Sequence, residues 1–357
     1  MPGLKIVPSV ASHGLEVKFQ SGGRSGVLVI VFSQVRIPSG KFGLERLFAK
    51  TQHSCVFLND TESQWYLRAE QDIDRAIDDA IAQENPERIV YYGASMGAYG
   101  ALMTGLRRQD GEIYAFSPEL SLGMAGSQST AYLESPAPDK ADLLALMSGG
   151  MKYPIHILFG LFDWIDMTGY LAMQRLPHCE KRFCYGVAGP HALHDQLYSL
   201  NIVRQLIKTF QRDVSELLSA RGLLISPSLA DCAEFVGLGQ ALAENALMSL
   251  PDVSRSLTNN PGYGLLRAEH FALQGKPQRG AELLQEWGIA LKDDAVLKTT
   301  PKRWRKSFLI RAAELYLSCA ERPKAQEALT DCVAQFPIDG RMLQLAAALE
   351  FVLPETQ

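Results

Sequence analysis

The sequence lacks the features that would mark a disulfide-built, membrane-spanning or nucleic-acid-binding chain. Its six cysteines, at positions 55, 179, 184, 232, 319 and 332, form no C-x-x-C pair. Neither a disulfide framework nor a zinc site of the usual spacing is expected, and the thiols read as reduced and mostly buried. The seven histidines are scattered, and none falls in an H-E-x-x-H pattern, so no metal and no cofactor is called for. The longest unbroken aliphatic and aromatic run, Val27 to Phe32, is six residues, whereas a membrane-crossing helix needs about 20. The opening MPGLKIVPSV has no basic stretch followed by a long apolar one. No signal peptide is expected, and the location expected is cytoplasmic. An excess of one charge is missing too. Lys and Arg number 35 against 39 Asp and Glu, a net charge of −4, which gives no global reason to bind nucleic acid or an anionic membrane.

What is present is material for a large core. The 357 residues are 47% hydrophobic and 21% charged, which excludes intrinsic disorder and predicts two domains at about 150 residues each. Six short apolar runs punctuate the first 220 residues: Val27–Phe32, Cys55–Leu58, Arg88–Tyr92, Glu112–Phe116, Ile155–Phe159 and Arg182–Val187. Such runs fit strands buried on both faces. Helical patterns lie between them. Over Glu70–Gln83 the apolar residues Ile73, Ala76, Ile77, Ala80 and Ile81 make one helical face. Strand and helix in alternation predict an α/β fold, a mostly parallel, doubly wound sheet. Leu4–Gln20 reads as two further strands broken near Ser12–Gly14, and Ala192–Phe210 as one long helix.

Beyond residue 222 the strands stop. Ile225–Ser228 reads as a linker, and the remainder as an all-α region, giving domains 1–222 and 223–357. Two stretches there resemble each other: Arg267–Leu273, followed by Ala281–Leu284, and Arg311–Leu317, followed by Glu327–Leu329. They look like degenerate tetratricopeptide-type hairpins, with a plain helical bundle as the alternative. A helical module of this kind offers a surface for a protein partner.

The sharpest motif is Gly93-Ala94-Ser95-Met96-Gly97, entered from the strand Arg88–Tyr92 and followed by a helical pattern. A serine between a strand and a helix sits on a tight turn that pushes its hydroxyl out over the sheet edge, and flanking glycines permit the close approach. From these residues the chain resembles the α/β-hydrolase superfamily over about residues 5–215. That resemblance implies a nucleophile, an acid and a histidine in this chain order, each just past a strand end. Ser95 is then the nucleophile. Asp163, after Pro154–Gly160, is the acid, with Asp166 as its competitor. His191, after Arg182–Val187, is the base, with His194 as its rival in the following helix. His156 reads as a core histidine within a strand. The oxyanion donors implied are the backbone N–H of Met96 and a group from Ser33 or Gln34, although the usual HGGG loop is absent.

A narrower resemblance rests on Asn59-Asp60, Trp65-Tyr66, the elbow with Tyr99, and Ala115-Phe116-Ser117-Pro118. These look like a group of bacterial hydrolase-like proteins that occur beside polysaccharide functions, with Ala98 where that group has a second glycine. Trp65 and Tyr66 are expected either to form an aromatic wall for substrate or simply to pack a helix start. The resemblance implies an esterase that cleaves a carboxylic ester or thioester, such as an acylated saccharide, through an acyl-enzyme. An acyltransferase and an idle scaffold are the alternatives. The interval Leu120–Met151 is too short for a large lid. The helical half is therefore expected to pack on the sheet-bearing half, with the Trp287 or Trp304 region bordering the entrance.

Overall fold

The computed structural model describes residues 14–134, 142–249 and 254–353. Seven strands form one sheet: β1 (Leu15–Gln20), β2 (Val27–Phe32), β3 (Ser54–Asp60), β4 (Arg88–Ala94), β5 (Glu112–Phe116), β6 (Ile155–Gly160) and β7 (Arg182–Val187). Their order across the sheet is β1-β3-β2-β4-β5-β6-β7. Only the β1–β3 pair is antiparallel; the other five are parallel. The chain thus has the mostly parallel sheet with helices on both faces that was expected, followed by a helical region. The earlier of the two strands expected within Leu4–Gln20 lies outside the described residues.

Burial of β2 on both faces explains its unbroken apolar run. Leu28, Ile30 and Phe32 enter one core with the helices Glu70–Glu84, Met96–Arg108 and Trp164–Gln174. Val27, Val29 and Val31 enter the opposite core with Phe48, Leu197, Val203, Leu206 and Val214. Strand alternation alone sends neighbours to opposite layers. The expected long helix over Ala192–Phe210 is two helices, Leu193–Ser199 and Ile202–Ile207. Asn201 between them takes φ 64°, a left-handed geometry that asparagine tolerates better than most residues. On either side of the break Leu197, Val203 and Leu206 share one core with the sheet.

The expected linker is not free chain. Ala188 N–H donates to Leu223 O (2.8 Å), and Ile225 N–H to Gly186 O (2.9 Å), so Leu224 bridges Val187 antiparallel. The chain is stitched to the edge strand β7 before the helix Leu229–Ala243 starts, with Ser228 as its N-cap. From there every element is helical, and no helix among the described residues is long and apolar enough to cross a membrane. The two look-alike stretches fall on Pro261–Leu273 and Lys302–Ser318, each packed on its successor, Pro277–Asp293 and Arg322–Gln335. Arg311 joins the two units by a bidentate pair to Glu269, at 2.6 and 2.7 Å.

The helical region does not stand apart. Cys232, Phe235, Leu238, Leu257 and Tyr263 belong to the same buried cluster as Ile30, Tyr91 and Phe159 of the sheet. Trp304 stacks on Phe162, ring centroids 5.7 Å apart. Trp287 instead packs within the helical region, against Gly264.

Candidate active site

Ser95 follows β4 with φ 55° and ψ −122°, a backbone conformation that costs a non-glycine residue on the order of 1–3 kcal/mol. The surroundings enforce it. Ser95 N–H donates to Phe116 O (2.9 Å), and the carbonyl of Ser95 accepts from Ala98 and Tyr99. A Cβ on Gly97 would lie 2.3 Å from Phe32 O, and one on Gly93 2.1 Å from Gly97 O, so both glycines of the motif are required by close approach. Ala98, where the narrower resemblance has glycine, is simply buried.

The Ser95 hydroxyl lies 2.9 Å from His191 Nε2. On the other side of the ring, His191 Nδ1 lies 2.7 Å from Asp166 Oδ1. The expectation that Asp163 is the carboxylate on this histidine is thereby corrected. Asp163 is the N-cap of Trp164–Gln174, and its Oδ1 accepts from Ile165 N–H (2.9 Å) and Asp166 N–H (3.2 Å). Asp166, one turn in, is fully buried and looks back at the strand end, where its other oxygen accepts from Gly160 N–H at 2.8 Å. Its two acceptor oxygens are therefore fixed by one backbone donor and one imidazole.

Negative charge crowds this histidine. Burial pulls the imidazolium down, but Asp166, with Asp163 and Glu119 behind it, outweighs that and raises His191 to about 9. Burial and the charge of Asp166 push Asp163 up, to about 6, against the opposing pull of His191. The ligand atoms of Asp163, Asp166 and His191 lie within 4.8 Å of one another, a grouping that could hold a cation. Since Asp166 and Asp163 already accept from Gly160, His191, Ile165 and Asp166 N–H, the hydrogen bonds account for the cluster without one.

The rival histidines have other work. His194 Nε2 pairs with the Tyr92 hydroxyl at 2.8 Å in the core, and burial drops its pKa to about 4. His156 lies stacked against Tyr114 and Phe183, with centroids at 4.6 and 4.9 Å.

Met96 is the first residue of its helix, so its N–H has no partner within that helix. Ser33 is fully buried and committed: its N–H donates to Leu58 O (2.9 Å), its Oγ accepts from Gly43 N–H (2.8 Å), and its carbonyl accepts from the Tyr66 hydroxyl (2.7 Å). Gln34, next in the loop after β2, has its side-chain oxygen buried without a partner.

Trp65 and Tyr66 do not form a wall facing substrate. Each is 1% exposed. Asp60 accepts from the N–H groups of Glu62, Gln64 and Tyr66 and folds this segment under the site. Tyr66 pins the Ser33 carbonyl, and Trp65 packs on Tyr132, centroids 6.3 Å apart. Tyr132 ends the short helix Gln128–Tyr132, which sequence reasoning missed as part of the site. Gln128 Oε1 lies 3.3 Å from Ser95 Oγ. The helix is held by buried Glu119, which accepts from both the N–H (3.1 Å) and the hydroxyl of Ser129. The only cue in the sequence was a polar, serine-rich stretch, which does not disclose where its turn lands. Nearby, Gly126, Trp164, Leu242, Ala243 and Leu266 line a cavity of about 520 Å³ between the sheet-bearing half and the helical half.

No family model and no curated protein matches the sequence. Among solved structures the chain is similar to the capsule O-acetyltransferase of Neisseria meningitidis serogroup A, at 17% identity over 55% of this chain and 93% of that one, TM-score 0.39. It is also similar to an esterase of Pyrococcus furiosus, at 14% identity over 55% of this chain and 84% of that one, TM-score 0.42. A third is the Glycosylation Associate Protein (Gap123) complex of Streptococcus agalactiae, at 18% identity, 58% of this chain, 47% of that one and TM-score 0.43. This chain spans about half the length of that last one.

Proposed function

We propose that the chain is a serine acyl hydrolase that cleaves a carboxylic ester or thioester through an acyl-enzyme on Ser95. The observation that carries this reading is the unbroken relay Ser95 Oγ–His191 Nε2 at 2.9 Å and His191 Nδ1–Asp166 Oδ1 at 2.7 Å, set on a left-handed serine at a strand–helix turn. A lone serine hydroxyl is a poor nucleophile at neutral pH. Here His191 takes the Ser95 proton as Oγ bonds to the substrate carbonyl carbon, and the carbonyl π pair moves onto oxygen. Asp166 holds the ring with its proton on Nδ1 and stabilises the imidazolium. The oxyanion is met by the N–H groups of Met96 and Gln34, because the N–H of Ser33 is already spent on Leu58. Collapse re-forms the carbonyl and breaks its bond to the alcohol or thiol, which leaves with the proton from His191. Water, deprotonated by the same histidine, then releases the acid and restores Ser95.

The same steps pass the acyl group to a sugar hydroxyl or an amine if one replaces water, and an acylated saccharide is one substrate of this kind. Fluorophosphonate labelling tests the core of the reading. Wild type should label covalently on Ser95 and hydrolyse p-nitrophenyl esters, and Ser95→Ala should lose both while keeping its circular dichroism and melting temperature. An active Ser95→Ala enzyme overturns the proposal. Adding excess saccharide during turnover then separates transfer from hydrolysis by the products formed.

A further inference from the structure

A second concavity lies on the opposite edge of the sheet. Its wall comes from Ser25, just ahead of β2, from Arg46 and Lys50, and from Arg204, Ile207 and Lys208 in and just past the second helix after β7. Ser25 marks the N-terminal end of a parallel strand, whereas Ser95 sits beyond a C-terminal end. β4, the strand that ends just before Ser95, is seven residues long, roughly 23 Å at about 3.3 Å per residue. The cavity measures about 670 Å³, within the range of about 300–1,000 Å³ usual for small-molecule pockets.

Its charge is one-sided. Arg46, Lys50, Arg204 and Lys208 line it, and no carboxylate does. None of the four makes an ion pair among the described residues, unlike Arg88, Arg107, Arg108 and Arg311, which are bound to acids. All four are solvent-exposed, so their mutual repulsion is screened, and together they form a one-signed patch that attracts anions in a chain of net charge −4. Arg204 is held in place by stacking on Tyr198, 4.1 Å from the ring centroid. Two of the lining residues, Ser25 and Ile207, are also fixed, by a histidine that does not itself line the hollow. His53, 2% exposed, places one ring nitrogen 2.7 Å from Ile207 O and the other 2.7 Å from Ser25 Oγ. A carbonyl can only accept, so Nε2 carries the proton, and in the neutral ring Nδ1 receives the Ser25 hydroxyl. Lys208 and Thr209 continue into an adjoining hollow of about 480 Å³ that adds Arg212.

We propose that this cavity binds a small molecule carrying clustered phosphate groups, at a site separate from Ser95. Two guanidinium forks match phosphate oxygens bidentately, and two ammonium groups add point charge. A single carboxylate would leave most of that charge unanswered. The source of the phosphates, a free polyphosphate or a nucleotide, is separated by the test.

Isothermal titration of the full-length protein with pyrophosphate, with ATP and with adenosine addresses the proposal. Pyrophosphate and ATP should bind saturably at one site, more weakly as salt rises. Tighter binding of ATP would assign the remaining volume to a nucleoside, and equal binding would assign the site to phosphates alone; adenosine should not bind. Arg204→Ala and Lys208→Ala should each weaken pyrophosphate roughly tenfold or more. Arg303→Ala, a cation of the helical region, should leave binding unchanged, as should Ser95→Ala. Lys208 has no stacking role, so its variant keeps the test intact if Arg204→Ala perturbs the fold. Absence of saturable pyrophosphate binding overturns the proposal. So does binding that survives both cavity variants, or adenosine binding without pyrophosphate binding.

Discussion

Two carboxylates lie within reach of His191, and helix-capping geometry separates their roles. Asp163 spends its Oδ1 on two helix N–H groups, whereas Asp166, at the third position of that helix, aims its side chain back at β6 and the imidazole. Asn caps a helix about as well as Asp does. Asp163→Asn should therefore keep the fold and lower the rate of fluorophosphonate labelling by less than about tenfold. Asp166→Asn should cost roughly 10³–10⁴-fold, because an amide cannot hold the required tautomer. Equal losses in the two variants would break the assignment. The pH profile follows from the same cluster. His191 must be neutral to take the Ser95 proton, and its neighbours raise it to about 9. The labelling rate should climb through neutral pH and reach half its plateau near pH 9; a half-point at the ordinary 6.5 would mean that the acidic neighbours do not act on the ring. Stability moves the other way. The extra stability of charged His191 is complete below the unfolded value of 6.5 and is lost as pH rises through about 9. Ser95 and His191 were legible in the sequence because each follows an apolar run through a glycine-bearing turn. The choice between Asp163 and Asp166 was not, since distance from the strand favours the first, while which carboxylate remains free for the ring depends on the cap.

At the scale of elements, the runs that became β2 and β5 were legible because strands buried on both faces admit no polar break. The two-helix form of 193–207 was not, because its apolar periodicity runs through Asn201, whose left-handed backbone (φ 64°) makes the break. The Trp304 side of the contact between the loop after β6 and the helical region was expected, but the part made by Pro261–Leu273 was hidden. Asn260 caps Pro261–Leu273 with its side-chain oxygen and donates its Nδ2 to Leu161 O at 2.9 Å. Gly262 in that first turn meets the next residue of the loop, and a Cβ there would stand 1.9 Å from Phe162 O. Neither atom can yield cheaply, since one belongs to a helix and the other to the loop that leads into the helix of Asp166. Gly262→Ala should destabilise the protein by about 1–3 kcal/mol, as overpacking does. It should also slow labelling of Ser95, from which no residue of that helix is close in sequence. A lowered melting temperature with an unchanged labelling rate would show that the loop holds Asp166 without help from the helix.

Over the whole molecule, the alternation of strand and helix made the sheet-bearing half and its helical successor visible, and the short interval Leu120–Met151 led to the expectation that the two pack together, although Ile225–Ser228 read as a linker. The packing goes as far as a shared interior. Phe235, Leu238 and Tyr263 are buried with residues of the sheet layer, residues 223–225 lie along β7, and Trp304 stacks over Phe162. Such a boundary is unlike the polar, separable interfaces between independent domains. Unfolding should accordingly be a single calorimetric transition whose van't Hoff and calorimetric enthalpies agree. A chain ending at Gly222 would lose the strand-like cover on β7 and expose the apolar surface that Phe235 and Tyr263 shield. It should be insoluble or lack a cooperative melt. If a soluble fraction survives, it has also lost Leu242, Ala243 and Leu266 from the cavity of about 520 Å³ beside Gly126 and Trp164. With that wall gone, its preference among p-nitrophenyl esters of increasing chain length should flatten. A soluble truncated chain that melts cooperatively and keeps the full-length size preference would establish that the helical half is an appendage, and that the continuous core contributes nothing to holding the active site.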